Sequence, residues 1–140
     1  MNKLGCLLSA VVVGAILRAA PAGPAGRVTV EADMFSGRPN PMWRMTAQES
    51  AELRRRLAHL RPAPTGSVLK PPVLGYRGLR ITVYGRRTTD LYQLRDGLVR
   101  DKAGRLFVDD DRQLERWILK SARRRVEPEI ETLLNREVNR

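Results

Sequence analysis

The chain has 140 residues, with 26 Lys and Arg against 15 Asp and Glu, a net charge of +11, one cysteine and one histidine. That length suits one compact domain rather than two, and a lone Cys6 with a lone His59 excludes a disulfide framework and a zinc site of the usual Cys and His kinds. Arginine outnumbers lysine 22 to 4, a bias that GC-rich coding also produces, so the charge speaks to solubility and anionic partners before anything else.

Residues 1–25 have the three-part pattern of a secretory signal peptide. Met1-Asn2-Lys3 is a short positive start, Leu4 to Leu17 is a 14-residue uncharged run, and small residues with proline follow Arg18. The run is shorter than the roughly 20 residues a spanning helix needs. Small residues place the cut after Ala22 or Ala25, which removes Cys6. The chain is therefore expected to be exported, to the periplasm or beyond the cell, as a thiol-free domain over residues 26–140 with no transmembrane span. Loss of Lys3 and Arg18 leaves 24 basic against 15 acidic residues, and the excess concentrates in residues 61–100, with eight basic and two acidic.

The first predicted strand is Arg27 to Asp33, where Val28, Val30 and Ala32 alternate with Thr29, Glu31 and Asp33. Phe35 to Pro41 reads as a tight loop, because Pro39 and Pro41 each remove a backbone donor. Met42 to Met45 is a short extended piece. Thr46-Ala47-Gln48-Glu49 is a capping-box sequence, and the helix it opens should run to about Leu60 with Leu53, Leu57 and Leu60 inward. Arg61 to Pro72, with four prolines, reads as an irregular loop. Tyr76 to Gly85 is a strand with Leu79, Ile81 and Val83 inward. Asp96-Gly97 predicts a hairpin turn between two short strands, and Ala103-Gly104 a second turn before Arg105 to Val108.

Asp109 to Asp111 should open a second helix, with Leu114, Trp117, Ile118 and Ser121-Ala122 on its buried stripe and Arg123-Arg124-Arg125 at its end. Pro128 suits the first turn of a third helix, with Ile130, Leu133, Leu134 and Val138 inward. The sum is an α+β fold, a small antiparallel sheet of four to five strands packed against about three helices.

Few groups point to catalysis. Three adjacent aspartates cannot converge on one calcium ion, so Asp109 to Asp111 read as helix capping. His59 suits a helix C-terminus. No Gly-x-Ser-x-Gly elbow, P-loop or Rossmann glycine pattern is present. No cofactor or metal is expected, and no specific nucleic-acid partner.

The most unusual internal segment is Ser36 to Trp43. It sets a guanidinium, an amide, a hydroxyl and an indole on a proline-stiffened backbone, which lowers the entropy lost on binding. Arg38 is expected to clamp an anion, Asn40 to hydrogen-bond it, Ser36 to lie beside them and Trp43 to form an apolar wall. The alternative reading is a structural corner, with Arg38 on Asp33 and both aromatics in the core. A second candidate is the outward strand face of Arg80, Thr82 and Tyr84, with Arg86 and Arg87 beyond it, which would hold an anionic polymer or lipid.

The Ser-Gly-Arg-Pro-Asn-Pro-x-Trp run at 36–43 resembles that of a group of small exported bacterial proteins, a similarity extending to Gly75-Tyr76-Arg77-Gly78 and Leu114-Glu115-Arg116-Trp117. The resemblance implies one module over residues 27–125 and carries no activity and no site residue. The expected function is a non-enzymatic binding or interaction role in the cell envelope or outside it, with an anionic envelope component or another exported protein as partner. Electrostatic binding through the basic sheet face is the alternative, and a small hydrolase the third.

Overall fold

The computed structural model describes residues 26–71 and 74–139; residues 1–25, expected to be a signal peptide, lie outside the described residues. The elements are β1 (Val28–Ala32), β2 (Met42–Arg44), α1 (Ala47–Ala58), β3 (Arg61–Pro62), β4 (Leu79–Tyr84), β5 (Thr89–Arg95), β6 (Leu98–Asp101), β7 (Leu106–Val108), a 3-10 turn at Asp110–Arg112, α2 (Gln113–Ser121) and α3 (Pro128–Val138).

The fold is α+β, and its sheet has seven antiparallel strands in the order β2-β1-β4-β5-β6-β7-β3. That exceeds the four to five strands expected, for two local reasons. The extended piece after Pro41 pairs with β1, Trp43 opposite Val30. The start of the proline-rich segment also pairs, Arg61 opposite Val108 and Pro62 opposite Phe107. β3 is an edge strand, where proline's missing donor does no harm.

Alternation decides what the sheet buries. Val28, Val30 and Ala32 from β1, Leu79, Ile81 and Val83 from β4, Leu94 and Val99 join Leu53 of α1, Leu114, Ile118 and Leu119 of α2, and Ile130 and Leu134 of α3 in one core. Leu133, expected inward on α3, is instead 38% exposed. Thr29, Glu31, Arg80 and Thr82 stand on the other side of their strands and are not buried.

The local signals act as their chemistry requires. Thr46 Oγ1 accepts from Glu49 N at 3.1 Å and Glu49 Oε2 accepts from Thr46 N at 2.8 Å, a complete capping box. Asp96 and Gly97 hold φ of 53° and 74° between β5 and β6, the positive values a two-residue hairpin turn needs. Asp109, buried, accepts from Leu114 N at 2.8 Å and Glu115 N at 2.9 Å, while Asp110 takes the Arg61 guanidinium. Pro128 is the first residue of α3.

Gly78 precedes β4 at φ 110°, and a Cβ there would lie 2.2 Å from Leu94 O. Only glycine allows the chain to enter the sheet so close to β5.

Candidate functional site: an arginine-lined cleft

The loop between β1 and β2 is stitched from below. Asn40 Oδ1 accepts from Met34 N at 3.0 Å and Phe35 N at 2.9 Å, and its Nδ2 donates to Glu31 Oε1 at 2.8 Å and Asp33 Oδ1 at 3.4 Å. Both ends of the amide are therefore spent on folding the loop. Arg77 donates to Asp33 and, through Nη2, to Phe35 O at 2.8 Å. Arg80 reaches Asp33 Oδ2 at 2.9 Å and Glu31 Oε1 at 3.3 Å. Burial pushes the Asp33 carboxyl up, but the Arg77 hydrogen bond, the Arg80 and Arg77 charges and the Asn40 amide together hold it below its ordinary value.

Those contacts leave Arg38 at the loop tip. Asp33 belongs to Arg77 and Arg80, so Arg38 lies instead over the Phe35 ring, 3.7 Å from its centroid. That stacking positions the guanidinium while leaving its five donors available.

Across from the loop is the connection between α2 and α3. Arg124 holds φ of 60°, and its backbone N–H donates to Glu131 Oε2 at 3.1 Å. Arg125 pairs with Glu49 at 2.7 Å, which ties this connection to the α1 capping box. Loop and connection enclose a cleft of about 730 Å³. Pro39, Pro41, Met42, Val126 and Ile130 supply its apolar wall, and Arg38, Arg124, Arg125 and Glu127 its charges.

The predicted residues divide accordingly. Arg38 and Asn40 line the cleft, though the Asn40 amide is engaged in the loop. Ser36 is exposed on the turn and does not line it. Trp43 is not the cleft wall: it is 4% exposed in the core, with Nε1 donating to Ser121 Oγ at 2.8 Å. Its place in β2 turns it inward opposite Val30, and Met42, one residue earlier, faces the cleft instead.

The basic sheet face is also divided. Arg80 is ion-paired to Glu31 and Asp33, and Tyr84 lies under Arg27, 4.4 Å from guanidinium carbon to ring centroid. Arg86 and Arg87 are exposed in the turn between β4 and β5, apart from Arg80.

Sequence reasoning missed Arg124, Val126 and Ile130 as partners of the loop. The Arg123-Arg124-Arg125 run before Pro128 was the available signal, but a helix C-terminus explains it equally well. Elsewhere, His59 Nδ1 sits 2.7 Å from Arg55 O, to which it donates. Among the described residues no cluster of His, Cys, Asp or Glu could hold a metal ion, and no helix is long and apolar enough to cross a membrane. The chain matches no family model, no curated protein and no solved structure, which leaves the cleft's own residues to carry its reading.

Proposed function

We propose that residues 26–140 act, after export, as a non-enzymatic binding domain that takes an anionic group of an envelope component or another exported protein into the cleft between the Phe35–Met42 loop and the α2–α3 connection. One observation carries this reading. Arg38 and Arg124 line the cleft and have no carboxylate side-chain partner among the described residues, whereas Arg77, Arg80 and Arg125 around them are all ion-paired. Guanidinium forks beside an apolar wall suit a carboxylate or phosphate next to an apolar body. The stitched loop holds Arg38 in place before binding, which lowers the ordering cost. The groups on offer hold a ligand; they are cations with one carboxylate, Glu127, and form no nucleophile and base pair.

Arg38→Ala and Arg124→Ala should each weaken partner capture from native envelope and medium at least tenfold without lowering the melting temperature. Undiminished capture by either variant would refute the reading.

Arg86 and Arg87, exposed and without an ion-pair partner among the described residues, favour a second reading, electrostatic binding of an anionic polymer or lipid. Steep loss of binding with salt and dependence on Arg86 and Arg87 rather than Arg38 would identify it.

A further inference from the structure

A second cavity, of about 520 Å³, opens between the C-terminal half of α1 and strands β4 to β7. It shares no lining residue with the Arg38 cleft. Leu57, Leu60, Val83, Tyr92 and Phe107 give it apolar and aromatic walls. Its volume falls in the range of about 300–1,000 Å³ that small-molecule sites occupy.

Charge at this cavity is nearly balanced, with one exception. Asp101 pairs with Arg105 at 2.7 Å and Asp90 with Lys102 at 3.0 Å, so two acids at the mouth are already neutralised. Arg54 is the remaining cation. Its Nη1 donates weakly to Ser50 O at 3.3 Å, and its Nη2 is buried with no acceptor among the described residues. Nη2 also lies 3.5 Å from where a side chain would begin at Gly26, so the glycine leaves the guanidinium room. That buried nitrogen is turned toward Gly26, away from the cavity; the rest of Arg54 lines the cavity without an ion-pair partner among the described residues, which leaves a cation beside its aromatic wall.

We infer that this cavity is a second binding site, for a monoanionic amphiphile, a carboxylate on an aliphatic chain or ring. The carboxylate would meet the cavity-lining part of the Arg54 guanidinium as a charge-assisted pair, and the apolar body would lie between Tyr92, Phe107 and Leu57.

Sodium octanoate is a suitable probe, with octan-1-ol as its uncharged counterpart, titrated into the purified protein and followed by amide chemical shifts. Octanoate should shift Gly85, Tyr92, Asp101 and Phe107 saturably, and Arg54→Gln should weaken it at least tenfold while leaving octan-1-ol unaffected. Shifts that miss these residues, or an Arg54→Gln protein that binds octanoate as tightly as wild type, would overturn the assignment. Should Arg54→Gln fail to fold, Ala58→Trp is the second variant: Ala58 is exposed and lines the cavity. Indole bulk there should block octanoate, and unchanged uptake would equally overturn the site. Arg38→Ala should leave the octanoate titration as it is, so this site stands or falls independently of the cleft.

Discussion

Trp43 Nε1 donates to Ser121 Oγ at 2.8 Å, joining β2 to the end of α2 across 78 residues of sequence. Ser121 Oγ in turn donates to Ile118 O at 2.6 Å, so the hydroxyl serves as acceptor and donor at once. Ser121→Ala leaves a buried indole N–H unpaired and should cost about 1–2 kcal/mol in urea denaturation. Trp43→Phe removes the same bond from the other side. In a double-mutant cycle the pair should cost less than the two single changes added together; strict additivity would show that the bond contributes nothing.

Asn40 predicts a pH signature. Asn40→Asp sets a third carboxylate against Glu31 and Asp33 in place of the amide that donates to both. At pH 7 the variant should lose about 2–3 kcal/mol. The deficit should shrink as pH falls and the cluster takes up protons. A deficit that does not change with pH would mean that repulsion is not its cause.

Gly78→Ala should be among the most damaging single changes in the domain. The new Cβ would meet Leu94 O at 2.2 Å, at a φ of 110° that side chains rarely adopt. Strain and backbone shift together predict about 2–5 kcal/mol, read as a drop in melting temperature. Gly37, at φ 100° but with no atom near its would-be Cβ, should tolerate alanine better. Equal damage at both sites would argue that φ alone sets the cost.

Acid should unfold the domain through Asp33 and Glu49. Burial pushes both carboxyls up, yet Arg77 and Arg80 at Asp33, and Arg125 and Thr46 at Glu49, hold them below their ordinary 3.8 and 4.5. Their contribution is present above those ordinary values and is lost as pH falls through the lower folded ones. Asp109 works in the opposite sense. Burial, with the Glu115 charge adding to it, raises its carboxyl above 3.8 against the two N–H bonds it accepts. Its contribution is present below 3.8 and is lost as pH rises through its folded value. Asp33→Asn should therefore flatten the fall in stability from about pH 5 to pH 2, and Asp109→Asn should steepen it. Denaturation midpoints across that range provide the test.

What the sequence made legible was local. Val28, Val30 and Ala32 alternate within one strand, the Thr46 capping box spans a single turn, and Asp96-Gly97 needs no distant partner to form its hairpin. Pairings across long stretches of chain were harder to read. β3 is two residues, one of them proline, and is a strand only because β7 offers a free edge. Trp43 could be read as a ligand platform or as core, because a short extended piece does not show which way it faces until its partner is known, and pairing opposite Val30 turns it inward. The exposed place of Arg38 on the proline-stiffened loop was legible, but its neighbour across the cleft, Arg124, lies in a segment whose local role is to end a helix. Asn40 drew notice for hydrogen-bonding capacity that the fold itself consumes.

The cleft reading depends on Arg38 binding without supporting the fold. Its only described contact is the stack on Phe35, worth about 0.5–1 kcal/mol at an exposed site. The most direct test is a paired measurement on Arg38→Ala: thermal stability, and capture of partner from native envelope and medium. The account predicts a melting temperature within a few degrees of wild type and capture reduced at least tenfold. A variant that unfolds, or one that stays folded and captures partner as well as wild type, would contradict it.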